Sequence, residues 1–120
     1  MNRGYAGFYK GNYLRSSYEY AYAKYLDYYS IPWSYETEVF DIGFKKYKPD
    51  FFLYDQNRSI DKIVEIKSRD KNEKDNAKIA LKAIEKRYTI KCELVSYEEL
   101  LITYKDLPFS LTSTITEWIQ

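Results

Sequence analysis

The stretch 47–67, YKPDFFLYDQNRSIDKIVEIK, consists of two strand-like runs joined by a short polar segment. Both runs place apolar and polar side chains in the alternating manner of strands, and the segment 55–59 has the residues of a turn. The stretch therefore predicts a hairpin of strands at roughly 46–54 and 61–67, and the other predicted elements are arranged around it.

The second strand of this hairpin brings charged side chains to one face of the sheet. Glu65 and Lys67 are two residues apart and share a face, whereas Val64 and Ile66 point to the other one. Pairing of the two strands places Asp50, near the start of the first, beside Glu65. Because charged groups are costly to desolvate, strand stability alone does not explain such a cluster. A divalent cation held by the carboxylates would explain it.

These residues also resemble a known motif. The pair Pro49-Asp50, followed after a short hairpin by Glu65-Ile66-Lys67, resembles the signature of the PD-(D/E)XK nuclease superfamily. The resemblance implies that Asp50 and Glu65 hold Mg²⁺, for which Mn²⁺ can substitute, together with the backbone carbonyl of Ile66. It further implies that Lys67 positions or activates the water that attacks a phosphodiester.

The predicted first helix, 17–29, contributes a further candidate. Ser16 and Glu19 have the spacing of a capping box, which would make Glu19 a helix-start residue. The sequence Arg15-Ser16-x-x-Glu19 also resembles the first helix of small phage and transposon-associated nucleases of this superfamily, and that resemblance implies that Glu19 completes the metal site. Both interpretations remain open at this point.

The remaining periodicities predict a strand at 35–42, a helix at 73–88, a strand at 90–95 and a helix from Ser96 to Tyr104. With the hairpin, this order resembles the αβββαβ core of restriction-endonuclease-like folds over 13–104. We therefore expect a single α/β domain, 1–120, with a mixed four-stranded sheet flanked by helices. The segment 1–12 is predicted to be a flexible aromatic and basic arm. The tail, 105–120, would dock on the core or join two subunits.

Several basic side chains are candidate DNA contacts. They are Arg15, Lys45, Lys46, Lys48, Lys78 and Lys82. On a nuclease, lysines just before Asp50 would lie near the phosphates of the cleaved strand, but lysines also protect edge strands from aggregation. Arg15 would contact a phosphate or lie in solvent. Lys78 and Lys82 would reach the site or form a solvated helix face. Glu36 and Glu38, in the strand 35–42, would extend the acidic site or be exposed polar residues.

Composition excludes several classes of site. Histidine is absent, which rules out His-metal nucleases, Cys/His zinc sites and Ser-His-Asp hydrolases. Cys92 is the only cysteine, so the chain has no internal disulfide and fits a reducing compartment. Net charge is +1, so binding to nucleic acid would depend on local basic patches. No apolar run suits a membrane span, and we expect a cytoplasmic protein of a bacterium or a phage-infected cell.

The sequence thus predicts a Mg²⁺-dependent DNA endonuclease of phage or mobile-element origin, acting as a homodimer or as a subunit of a larger assembly. Two alternatives remain. One is a structure-specific nuclease that resolves junctions or flaps in DNA. The other is a catalytically idle DNA-binding or structural module that kept the fold.

Overall fold

The structure, a computed structural model, describes residues 5–119. Its first elements are strands β1 (Gly7–Tyr9) and β2 (Asn12–Leu14), helix α1 (Ser17–Tyr28), and strands β3 (Trp33–Tyr35), β4 (Phe40–Asp41), β5 (Lys46–Tyr47), β6 (Phe51–Tyr54) and β7 (Ile60–Ile66). The chain continues with helix α2 (Lys71–Tyr88), strand β8 (Cys92–Val95), helix α3 (Tyr97–Thr103), a 3-10 turn (Tyr104–Asp106) and helix α4 (Leu111–Ile119).

The centre of the fold is a four-stranded sheet in the order β3-β6-β7-β8. The first two pairings are antiparallel and the pairing of β7 with β8 is parallel, so the sheet is mixed. A parallel pair needs a crossover connection, and α2 supplies it. The predicted α/β class, with a mixed four-stranded sheet flanked by helices, is confirmed.

Alternation along the strands gives the sheet an apolar surface on both faces. Phe51 and Val64 form one core with α1, α3 and α4. The neighbouring residues Phe52 and Ile63 point the other way and form a second core with α2. Both faces of β6 and β7 are therefore covered, and the ends of these strands are the part of the sheet left for polar side chains.

The structure corrects the extents of two predicted strands. The segment 35–42 is split, because Glu36 has φ of +53°, a left-handed conformation that ends β3. The segment 46–54 is split at Pro49, which lacks the N–H that a ladder needs. The pieces Phe40–Asp41 and Lys46–Tyr47 pair with each other as a separate ribbon. Only β6 keeps the predicted pairing with β7.

The two ends of the chain also differ from expectation. The predicted arm is, over its described residues 5–12, one strand and the turn of the β1–β2 hairpin, and the Tyr9 ring packs on Tyr20 and Trp33. Residues 1–4 lie outside the described part. In the tail, α4 docks on α1, with the Trp118 ring stacked on Tyr20 at 4.4 Å. Because this apolar surface is used within the chain, it no longer argues for a dimer through the tail.

The main helices form close to where they are predicted. Helix α2 begins after Asp70, whose side chain accepts a hydrogen bond from the Glu73 amide, and its buried stripe is Ala77, Ala80, Leu81 and Ile84. The capping box formed by Ser96 and Glu99 starts α3. Between residues 5 and 119, no helix has the length and apolar character that a membrane crossing requires.

Candidate functional site

Asp50 and Glu65 meet where β6 begins and β7 ends. Phe51 pairs with Val64, so the antiparallel register places Asp50 opposite Glu65. Each carboxylate accepts a backbone hydrogen bond across the gap: the Asp50 amide donates to Glu65 Oε1 at 3.1 Å, and the Ile66 amide donates to Asp50 Oδ2 at 2.8 Å. The two side chains are only 8% and 4% exposed, respectively. The predicted carboxylate pair is therefore formed, within the sheet.

Lys67 brings a positive charge to this pair. Its Nζ lies 3.4 Å from Glu65 Oε2, and its side chain is 30% exposed. The ammonium group therefore touches a buried carboxylate while remaining open to a molecule arriving from solvent. The structure brings Asp50, Glu65 and Lys67 together, as the sequence predicted.

Glu19 enters from α1, and the structure supports the capping interpretation only for its backbone amide. Its amide donates to Ser16 Oγ at 3.2 Å, so the serine does cap the helix. The Glu19 side chain does not return the bond to Ser16. It is buried, and its Oε1 accepts hydrogen bonds from the Arg15 amide and from the Tyr35 hydroxyl, both at 2.6 Å. The amide of Glu19 thus serves the cap, while its carboxylate is held by Arg15 and Tyr35 near Asp50.

Electrostatics set these carboxylates apart from ordinary surface acids. Burial, followed by the charges of Glu65 and Glu19, raises the pKa of Asp50 well above its usual value. Burial also raises the pKa of Glu65, against the opposing effect of Lys67, and that of Glu19, against the hydrogen bond from Tyr35. The Lys67 ammonium contacts Glu65 of this pair. Ionising all the carboxyls at neutral pH therefore costs free energy unless further positive charge arrives.

The donor set suits a hard divalent cation, since Mg²⁺ and Mn²⁺ prefer carboxylate and carbonyl oxygens. Among the described residues, Asp50 Oδ1 and Glu19 Oε2 accept no hydrogen bond and have lone pairs available. Across 5–119, however, no three His, Cys, Asp or Glu side chains are already gathered closely enough to form a metal group. Asp50 and Glu65 are the pair in place, and the participation of Glu19 remains a prediction.

A cavity of about 160 Å³ lies beside the cluster. It is lined by the start of α1, including Glu19, by Ile66 and Lys67 at the end of β7, and by Glu73 in the first turn of α2. A larger cavity, of about 710 Å³, lies near the β6–β7 turn and touches none of the predicted site residues. The small cavity is the relevant one, because charged groups of the site line it. Glu73 was not singled out by the sequence.

The predicted DNA-contact residues fall into two groups. Arg15 makes two hydrogen bonds to Glu36, at 3.0 and 3.1 Å, and Lys48 lies 3.7 Å from the same carboxylate. The Glu36 amide in turn donates to the Asp50 carbonyl at 2.8 Å, so these two cations border the site. Lys45, Lys46, Lys78 and Lys82 are exposed, and none of them lines the small cavity. Glu36 is therefore an ion-pair partner, while Glu38 is exposed.

Two tyrosines of the site were missed. Tyr35, at the end of β3, holds Glu19 through its hydroxyl. Tyr47, on β5, has a buried hydroxyl oxygen that makes no well-aligned hydrogen bond among the described residues. Burial, and then the charge and closeness of the Glu65 carboxylate, raise the pKa of Tyr47. With fifteen tyrosines in the chain, no sequence signal distinguished these two.

Comparison with known proteins adds no relative from which function could be transferred. The chain matches no protein-family model, no curated protein and no solved structure.

Proposed function

We propose that this chain is a DNA endonuclease of the PD-(D/E)XK type that requires Mg²⁺ or Mn²⁺. The observation that carries the proposal is the buried pair of Asp50 and Glu65 in contact with Lys67 at one corner of the sheet. The order α1, β3, β6, β7, α2, β8 supports it, since helix, three strands, helix and strand is the order expected of a restriction-endonuclease-like core.

The first argument for a catalytic role is that the buried carboxylates destabilise the fold. A buried carboxylate whose pKa is raised by the charges of its neighbours, as that of Asp50 is, weakens the fold, and proteins keep such arrangements where they perform a function. A cation held by Asp50 and Glu65, with the Ile66 carbonyl, would offset their charge. Asp50 and Glu65 do not line the small cavity, but Glu19, Ile66 and Lys67 do, so water and a phosphate oxygen could approach the cation through it.

Phosphodiester hydrolysis is the reaction that this set of groups fits. Bound Mg²⁺ or Mn²⁺ would offset the charge that develops on the phosphate and lower the pKa of a bound water. Lys67 would hold the attacking water and the attacked phosphate through its ammonium group. Glu19, fixed by Arg15 and Tyr35, would orient the water or help to hold the cation.

DNA would approach along the edge where Arg15 and Lys48 lie. Both are partly exposed, at 58% and 46% of their side chains, and both already pair with Glu36. A phosphate could share these cations because their present pairing with Glu36 leaves each of them open to solvent. Their contacts would position the backbone without reading the base sequence.

The direct test is incubation of purified protein with supercoiled plasmid and with a branched duplex, each with Mg²⁺, Mn²⁺, Ca²⁺ or EDTA. We expect cleavage with Mg²⁺ and Mn²⁺ and none with Ca²⁺ or EDTA. Preference for the branched duplex would identify a structure-specific nuclease. Intact DNA in every arm with Mn²⁺, together with no binding to either substrate, would refute the proposal.

A further inference from the structure

The side-chain hydroxyl of Tyr47 is buried in a place where the fold does not satisfy it. The hydroxyl oxygen is shielded from solvent and makes no well-aligned hydrogen bond between residues 5 and 119, although it lies close enough to the Glu65 carboxylate to interact with it. A buried polar group without a partner costs free energy, and most such groups in proteins are satisfied. Without a well-aligned bond the hydroxyl contributes little to stability in the cation-free protein, and its presence needs another explanation.

The position of Tyr47 suggests what that explanation is. It lies on the short ribbon, three residues before Asp50, and its hydroxyl is beside the carboxylate of Glu65, with Asp50 further away. Glu65 Oε1 already accepts the Asp50 amide, and Oε2 faces Lys67 at 3.4 Å, a loose contact.

Tyr35 is a second tyrosine at the cluster, and its hydroxyl already bonds to a carboxylate. It reaches the cluster from β3, where it pairs with Phe51, the neighbour of Asp50, and its hydroxyl donates to Glu19 at 2.6 Å. Two tyrosines from two different strands thus approach the carboxylates, one with a completed hydrogen bond and one without a well-aligned bond. Hydroxyl and amide groups that hold a ligating carboxylate in place commonly determine how tightly a site binds its metal.

We propose that Tyr47 is a positioning residue for Glu65. When the site holds a divalent cation, the Tyr47 hydroxyl donates a hydrogen bond to the Glu65 carboxylate and fixes it in the orientation that the cation requires. The inference rests on the proposed function, because it assumes that Asp50 and Glu65 bind a cation. It adds a residue outside the motif as a determinant of cation affinity.

The test compares Tyr47→Phe with Tyr54→Phe in the full chain. Tyr54 is the matched control, because its hydroxyl bonds to Ser34 Oγ at 2.7 Å and it lies near the β6–β7 turn, away from the site. Two quantities are measured for each protein: the melting temperature in EDTA, and the dissociation constant for Mn²⁺ by electron paramagnetic resonance titration without DNA.

Opposite patterns are expected for the two variants. Tyr47→Phe should melt no lower than wild type in EDTA, since it removes a hydroxyl that makes no well-aligned hydrogen bond there, and should bind Mn²⁺ about tenfold more weakly. Tyr54→Phe should melt lower by roughly 3 °C and bind Mn²⁺ as wild type does. Loss of affinity without loss of stability is a result that a purely structural hydroxyl would not give.

Three outcomes would overturn the inference. If wild type binds Mn²⁺ and Tyr47→Phe binds it equally well, Tyr47 does not position Glu65, although the proposed function stands. A Tyr47→Phe protein that fails to fold, or melts as low as Tyr54→Phe, would show that the hydroxyl is a structural bond. If wild type itself binds no Mn²⁺, the proposed function fails first and the role of Tyr47 fails with it.

Discussion

Asp27 and Asp50 are two carboxylates of one small protein with opposite surroundings. Asp27, near the end of α1, accepts hydrogen bonds from the Tyr9 hydroxyl at 2.5 Å and from Trp33 Nε1 at 2.8 Å, and Lys10 Nζ lies 3.0 Å away. Asp50 accepts one backbone amide and faces two other carboxyl groups. The first is surrounded by donors and the second by like charges.

The pKa shifts express this difference. Burial acts to raise the pKa of Asp27, but the hydrogen bonds from Tyr9, Trp33 and Lys10 outweigh it and lower the pKa below its usual value. For Asp50, burial and the charges of Glu65 and Glu19 act in the same direction and raise the pKa. Folding therefore favours the ionised form of Asp27 and the protonated form of Asp50.

At neutral pH the ionised Asp27 stabilises the fold, whereas the ionised Asp50 does not. Asp27 joins the β1–β2 hairpin to α1 and to β3, so its charge is part of the packing. Asp50 gains nothing comparable from its neighbours at neutral pH. A bound cation would stabilise the ionised form of Asp50, as Tyr9, Trp33 and Lys10 stabilise that of Asp27.

The largest expected effect is on DNA cleavage, when the lysine near Asp50 is removed and compared with removal of the lysine near Asp27. Lys67→Ala should reduce DNA cleavage by at least about 100-fold, because its ammonium acts where charge develops on the phosphate. Most DNA binding should remain, since binding is spread over many phosphates. Lys10→Ala is the control and should cleave at the rate of wild type. A plasmid-nicking time course measures both, and near wild-type cleavage by Lys67→Ala would remove Lys67 from the mechanism.

Neutralising the two aspartates should move stability in opposite directions. Asp27→Asn should lower the free energy of unfolding by about 2 kcal/mol, because charge-assisted hydrogen bonds and an ion pair are lost. Asp50→Asn should raise it by about 1 kcal/mol in EDTA, because it removes one of several crowded negative charges. Urea unfolding at pH 7 measures both values. Destabilisation by Asp50→Asn would mean that Asp50 is a structural residue.

The same contrast predicts how stability changes with pH in EDTA. Because the folded pKa of Asp50 is raised above 3.8, the folded protein takes up its proton before the unfolded chain does. Stability should therefore increase as pH falls through the raised pKa of Asp50 toward 3.8. Asp27 has a lowered pKa, so its contribution is present above 3.8 and is lost as pH falls below it.

Melting curves across this range should show a maximum on the acid side of neutrality. In Asp50→Asn, the rise as pH falls toward 3.8 should be smaller than in wild type. In Asp27→Asn, the fall at lower pH should be smaller. A wild-type melting temperature that falls steadily from pH 8 to pH 5 would contradict the raised pKa of the site.

The smallest expected effect lies at the border of the site, in the pair of Arg15 and Glu36. Arg15→Ala should change stability by no more than about 0.5 kcal/mol, because the guanidinium is 58% exposed. If Arg15 contacts a phosphate, DNA affinity should fall and the slope of log affinity against log salt should decrease by about one. Fluorescence anisotropy with Ca²⁺ at several salt concentrations measures this slope. An unchanged slope would restrict Arg15 to its ion pair.

The sequence was sufficient for the parts of the fold that local periodicity controls. Helices α1 and α2, the hairpin of β6 with β7 and the parallel strand β8 form near their predicted positions. Because the hairpin register follows from the turn and the alternation, the meeting of Asp50 with Glu65 was predictable as well. Lys67 follows from its spacing of two residues along the same strand.

What the sequence could not give depends on contacts between distant residues. The left-handed conformation of Glu36 and the break at Pro49 divide strands that look continuous as a pattern. The hydrogen bonds of Asp27 join residues up to 18 positions apart, so no local sequence pattern around Asp27 predicts them. Tyr47 cannot be told from the other tyrosines until its hydroxyl is found to be buried without a well-aligned hydrogen bond.

The most direct test of the central claim is the change in melting temperature that Mn²⁺ produces in wild type, Asp50→Asn and Asp27→Asn. At about ten times its dissociation constant, Mn²⁺ should stabilise wild type by roughly 1.4 kcal/mol relative to EDTA. Asp27→Asn should show the same shift from a lower starting temperature, and Asp50→Asn should show almost none. Equal shifts in the two variants, or no shift in wild type, would contradict the claim that Asp50 belongs to a cation site.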